Sequence, residues 1–336
     1  MSKERIVSVG GGTGTPITND ALHYAGVPWI ESVVAPFDNG GATGRRRLDS
    51  FGKEIAYSDG MRTLFSLVHP NERDSKEYQT LFKIFNSRQN GKVLGQAIIN
   101  HFFDPESGFS ATENQLRDLG LNLRGHVYPS STESSNISFV TQSGGVYLGE
   151  NELDNLRMQD DMVVHMVLDP SVSAFTPAAE AIKKAEIIYL AFGSLHGSVF
   201  PNFLPEGMRK AVAESQAQII LTTNLLSTRN ETHNFTPIDY VQVATKYIGR
   251  KPNALIVPEE TREFFERENP EVADSYRRDG SFFLGWEQTK LNEASDQGVK
   301  IVTHRATKLV TVESGRKIVR HDPQKLSDAL GTLLSA

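Results

Sequence analysis

Seven short apolar runs punctuate the chain: "RIVSVG", "IESVVAPF", "DMVVHMVL", "AEIIYLAFG", "AQIILTTN", "NALIVP" and "VKIVTH". Most are near-continuous in Val, Ile and Leu, the pattern of parallel strands covered on both faces by helices. Between them, helical spacing falls over residues 18–26, 60–69, 76–87, 93–103, 177–185, 205–215, 237–248, 259–268 and 323–334. Thr176-Pro177 and Asp322-Pro323 read as helix starts, with the first residue as cap and Pro at the first helical position. Residues 126–160 differ: turn residues alternate with short β patterns in "TESSNISFVTQSGGVYLGENEL", and "SGG" reads as a hairpin turn. The alternation predicts an α/β fold, a Rossmann-like, doubly wound and mostly parallel sheet in three layers. We expect one domain over 1–336 with a β-rich insertion at about 126–160.

Composition narrows the function. The chain has 336 residues, 38% hydrophobic and 23% charged, enough to bury a sizeable core. A formal charge of −6 argues against general nucleic-acid binding, while Arg45, Arg46 and Arg47 leave a local phosphate contact open. There is no cysteine, which excludes disulfides, thiolate metal sites and cysteine nucleophiles. The nine histidines lack metal-ligand spacing. No signal pattern and no membrane-length apolar run appear, so the expectation is a cytoplasmic protein without membrane insertion.

Candidate chemistry gathers where the apolar runs end. "VSVGGGTGTPI" places Gly11, Gly12, Thr13 and Gly14 after a strand and before a helix. Glycine there lets the backbone approach a ligand, and free amides at a helix start favour an anion. The spacing is neither the dinucleotide fingerprint nor a P-loop, and a plain strand-to-helix turn is the alternative. "VVAPFDNGGATGRRR" repeats the arrangement, with Asp38, Asn39, Gly40 and Gly41 at a strand end and Arg45 as a planar cation for phosphate. In "YSDGMRTLFSL" Arg62 projects near a helix start, and Asp59 is as readily an N-cap as a ligand contact. "YLAFGSLHGSVFPNFLP" offers Gly193, Ser194 and Ser198 to a phosphate or sugar, and Asn224 in "IILTTNLLSTRNETHNFT" has an amide able to read a base or sugar edge.

The order "VGGGTG", "DNGGATGR", "DGMR", "GKVLGQAI", "VYPSS", "GENEL", "AFGSLHGSVFPNFL", "TTNLLSTRNETHNFT" and "VRHDPQKL" resembles the family of 2-phospho-L-lactate transferases and gluconeogenesis factors (CofD/YvcK-like, UPF0052 type) from about residue 5 to 330. The resemblance implies a Rossmann-like core, a nucleotide site made by these loops and a homodimer. One branch transfers phospholactate from a guanosine diphosphate adduct to a deazaflavin alcohol with Mg²⁺. The other binds UDP-sugars and regulates carbon use and cell-wall synthesis, and "VRHDPQKL" looks like that branch. The chain departs from the pattern: the usual acidic pair is Asp38-Asn39, Lys92 and Gln96 replace a His and an Asn, and no Gln follows Asn224. With one carboxylate fewer for a divalent cation, the expectation is a nucleotide or nucleotide-sugar binder that requires no cofactor and has a regulatory protein partner. The alternative is a transferase using Asp38 with Mg²⁺.

Overall fold

The computed structural model describes residues 5–156, 160–305, 307–312 and 315–334. In chain order the elements that place the site are β1 (Ile6–Gly10), α1 (Gly14–Tyr24), β2 (Ile30–Val34), α2 (Gly41–Asp49), α3 (Ser58–Ser66), β3 (Gly125–Pro129), α4 (Glu150–Leu156), β4 (Ile187–Leu190), β5 (Gln218–Thr222), β6 (Ala254–Pro258) and β7 (Lys300–His304). The seven strands form one sheet in the order β3-β2-β1-β4-β5-β6-β7, and every pairing is parallel.

Alternate residues of each strand enter two different cores, which is why the runs are apolar throughout. Val7, Val9, Ile188, Leu190, Ile219 and Leu221 pack on one face, and Ile6, Ile30, Val34, Tyr189 and Ile220 on the other. Between β1 and β4 the strand order reverses. Loops leaving two such strands diverge, and the crevice outside their carboxyl ends is where open α/β sheets take ligands.

The structure departs from the sequence expectations in several places. Gly125–Pro129 pairs with β2, so 126–129 belongs to the central sheet rather than to the insertion expected at about 126–160. "DMVVHMVL" is no parallel strand: Val163–Asp169 pairs antiparallel with Asn136–Thr141, which also pairs with Val146–Leu148. The hairpin sheet therefore extends past 160, and its buried Val163, Met166 and Leu168 supply the apolar content that mimicked a core strand. Arg157, Met158 and Gln159 of the expected insertion lie outside the described residues. "GGATGRRR", read as a loop, is α2. Thr176 starts its helix without capping it, because Phe175 holds the cap position, whereas Asp322 Oδ1 accepts from the amides of Gln324 and Lys325 as expected. Among the described residues no helix is long and apolar enough to cross a membrane.

Candidate functional site

Two cavities adjoin at the carboxyl ends of β1, β2, β4 and β5, and Asp154 borders both. The first, about 280 Å³, is lined by Thr13, Gly14 and Ile17 of the α1 start, by Phe192, Gly193 and Ser194 after β4, by Asn224, Leu225, Leu226, Thr228, Asn230 and Glu231 after β5, and by Val319, Arg320 and His321. The second, about 410 Å³, is lined by Gly12, Asp38, Gly40, Gly41, Thr43, Asp59, Arg62, Glu150, Gly197 and Ser198, with Arg88 and Gln96 among others.

The glycine loop is built by close packing. A Cβ at Gly11 would overlap the Asp59 carboxylate, and one at Gly14 would overlap the Phe192 carbonyl. Gly12 sits at φ +59°, in the left-handed region that disfavours other residues, and its amide donates to Asp59 Oδ2 at 2.7 Å. Asp59 Oδ1 accepts from Arg62 Nη1 at 3.0 Å. Burial raises the Asp59 pKa, and Arg62 and the Gly12 amide oppose that rise. No side chain caps α1, and its first turn holds no acid. Its amide end is thus available to an anion at the junction of the cavities.

Asp38 is held in place from behind. Its Oδ1 accepts from the Gly40 amide at 2.7 Å and its Oδ2 from Ser58 Oγ at 3.0 Å. Arg47, 3% exposed, donates to the carbonyls of Phe37, Asp38 and Ser135 and so fixes the end of β2. Glu150 reaches the same carboxylate. Burial, together with the neighbouring Asp38 and Asp154, pushes its pKa up to about 9, and its carboxyl is hydrogen-bonded to Asp38. Sequence reading missed Glu150, Asp154, Thr43 and Arg88; the acidic "GENEL" after a hairpin was the available signal.

Three of the expected contact residues are engaged with the protein itself. Arg45 lines neither cavity: α2 turns it outward, where it is exposed and its guanidinium lies against Gly91, while Thr43 and Arg47 face inward. Asn39 is also outside both linings; its Oδ1 accepts from the Asn151 amide at 2.8 Å and anchors the start of α4. Asn224 lines the first cavity, but its amide clasps Gly193, accepting from the Gly193 N–H at 3.1 Å and donating to its carbonyl at 2.8 Å. These bonds shape the loop with one donor and one acceptor site of the amide. Ser194 is likewise engaged, donating to Glu231 Oε1 and accepting from the Gly197 amide. Burial works to raise the Glu231 pKa, but hydrogen bonds and charge from buried His196 bring it below the usual value.

The "VRHDPQKL" segment reaches the first cavity through Val319, Arg320 and His321. The His321 ring lies 4.0 Å from that of Phe192, and its Nε2 is 3.1 Å from the Thr223 carbonyl. Burial holds the His321 pKa well below its ordinary value, so the ring is neutral at neutral pH.

Asp38, Asp59 and Glu150 face the second cavity together. The carboxylates of Asp38 and Asp59 already accept from protein donors, and Glu150 carries a proton. Among the described residues no three His, Asp or Glu side chains are gathered to hold a metal.

Comparison with known proteins follows the same lines as the geometry. A crystal structure of a UPF0052 family member from Bacillus halodurans superposes with a TM-score of 0.80 at 23% identity, covering 98% of this chain and 99% of that one, which makes the fold Rossmann-like α/β. A Thermotoga maritima relative is 27% identical over 329 residues, covering 97% of this chain and 98% of its own. The gluconeogenesis factor of Listeria innocua is 25% identical over 346 residues, covering 99% and 98%. The family model described as "2-phospho-L-lactate transferase CofD" matches residues 6–306, and the chain belongs to that family.

Proposed function

We propose that the protein binds a nucleotide or a nucleotide-sugar of the UDP-sugar type across the two cavities and acts as a regulator of the gluconeogenesis-factor kind. The observation that carries this reading is the uncapped start of α1, which opens between a cavity of mixed apolar and polar lining and a more polar one. Ile17, Leu153, Leu225, Leu226 and Phe192 give a base apolar surface, the α1 amides take the diphosphate, and Arg62 meets its far oxygens. The name of the Listeria relative supports the regulatory part. In this reading the protein works in the cytoplasm as a homodimer with a protein partner, without nucleic acid.

The family description favours a second reading, a Mg²⁺-assisted 2-phospho-L-lactate transferase. Asp38, Asp59, Glu150 and Asp154 do line one cavity, but as arranged they do not gather round a cation. Thermal shift and calorimetry with UDP-glucose, UDP, GDP and uridine, each with Mg²⁺ or with EDTA, separate the readings. Binding of UDP-glucose that survives EDTA supports the first. Metal-dependent product formation from a guanosine-diphosphate phospholactate donor and a deazaflavin alcohol replaces it with the second.

A further inference from the structure

Beneath the glycine loop the apolar core on one sheet face is interrupted by polar side chains. Ser8 on β1 and Ser32 on β2 are register partners, both fully buried, and they face α1. Asn19 of α1, also fully buried, accepts from Ser8 Oγ at 2.8 Å. Its Nδ2 donates to Ser32 Oγ at 3.1 Å and to Ser66 Oγ on α3 at 2.9 Å. Ser8 and Ser32 share a further bond at 2.8 Å, and Ser66 Oγ donates to the Thr63 carbonyl at 2.7 Å. All three polar valences of the Asn19 amide that face this network are therefore used.

Buried polar groups cost desolvation that leucine in the same place avoids, so a fully satisfied network is weak evidence for stability and stronger evidence for register. The spacing shows which register. Gly12 and Asp59 are 47 residues apart, and so are Asn19 and Ser66. The two ties thus lie at the same offset on segments running the same way, about two helical turns apart. A slip of α1 against α3 that broke the buried tie would carry the Gly12 amide away from Asp59. It would also move the free end of α1 relative to Arg62, which stands on α3 just past its first turn.

We propose that Asn19 is a positioning residue: its bonds to Ser8, Ser32 and Ser66 lock the register of α1 on α3, and so set the distance between the α1 amide end and the Arg62 guanidinium. The ligand part of this inference rests on the binding reading above, whereas the register part stands on the network alone. Asn19→Leu removes the tie and leaves Ser8 bonded to Ser32 and Ser66 bonded to Thr63, so each hydroxyl keeps one partner and only one hydroxyl hydrogen loses its acceptor.

The test measures melting temperature, amide hydrogen exchange at Gly12 and calorimetric affinity for UDP-glucose and GDP. The expected result is an unchanged or higher melting temperature, faster exchange at Gly12, and affinity weakened about tenfold, the size of coupling such networks carry. In the Asn19→Leu background, Arg62→Ala should cost much less than it does alone. A folded Asn19→Leu protein with wild-type exchange and affinity overturns the proposal. If Asn19→Leu does not fold, Ser66→Ala cuts only the α3 end of the tie, and the same readouts decide. If the wild-type protein binds neither nucleotide, the binding reading fails, and Gly12 exchange alone judges the register lock.

Discussion

Glu150→Gln should stabilise the protein, and the gain should grow with pH. The Glu150 carboxyl is pushed to about 9 by burial and by the charge of Asp38, against an ordinary 4.5. An acid with a raised folded pKa keeps its proton in the folded state and gives it up on unfolding. Between 4.5 and about 9, therefore, unfolding releases a proton and stability falls as pH rises. Each pH unit in that window costs about 1.4 kcal/mol, so the penalty at neutral pH is on the order of 3 kcal/mol. Glutamine keeps the donor that protonated Glu150 offers Asp38 and has no proton to lose.

Urea denaturation of both proteins at intervals between about pH 5 and about pH 8 reads this directly. The two midpoints should nearly coincide at the acid end and separate steadily toward the alkaline end. A separation that is independent of pH, or a glutamine variant less stable at the alkaline end, would refute the idea that Glu150 holds the proton.

Other substitutions probe the loops. Gly14→Ala drives a Cβ into the Phe192 carbonyl and should cost about 3 kcal/mol by thermal melting, whereas Gly12→Ala meets only Ser198 Oγ at 3.6 Å and should cost about 1 kcal/mol for its backbone conformation. Arg62→Ala should weaken UDP-glucose and UDP far more than uridine in calorimetry, and Arg45→Ala should change none of them; the opposite result returns Arg45 to the site. Arg47→Ala leaves the carbonyls of Phe37, Asp38 and Ser135 without their donor, and should lower stability by about 3 kcal/mol in denaturant titration.

The parallel sheet was legible because burial on both faces leaves a near-continuous apolar run in most of its strands, and six of the seven runs are strands of that sheet, while β3 (GHVYP) has no such run. The seventh, at 163–169, shares that composition because one face packs on the core and the other carries exposed Val164 and Val167. Helix α2 was hidden by its own residues: two glycines and three arginines give no apolar stripe, and its buried side reads as Thr43, Gly44 and Arg47. The same blindness misassigned Arg45, because which of three consecutive arginines faces inward depends on where the helix begins. Glycine loops at strand ends were visible as such. The carboxylates of Glu150 and Asp154 were not, since a seven-residue helix more than a hundred positions after Asp38 carries no local mark of the strand end it meets.

The carboxylates also decide how the site treats a cation. A metal drawn to Asp38 would meet a carboxylate already oriented by the Gly40 amide and Ser58, and would compete with the proton on Glu150. One drawn to Asp59 would share the carboxylate that fixes the Gly12 amide, at the position where the glycine loop adopts its left-handed turn. In this chain, metal ligation and loop order compete for the same oxygens. A diphosphate held by the α1 amides needs no carboxylate, because no side chain caps that helix end, and Arg62 has guanidinium donors beyond the one it gives Asp59. Chelation should therefore leave nucleotide affinity unchanged, and added Mg²⁺ should speed hydrogen exchange at Gly12 if it enters the second cavity at all. An affinity that collapses in EDTA would show that the acids rearrange around a cation when ligand binds, and would count against the binding reading.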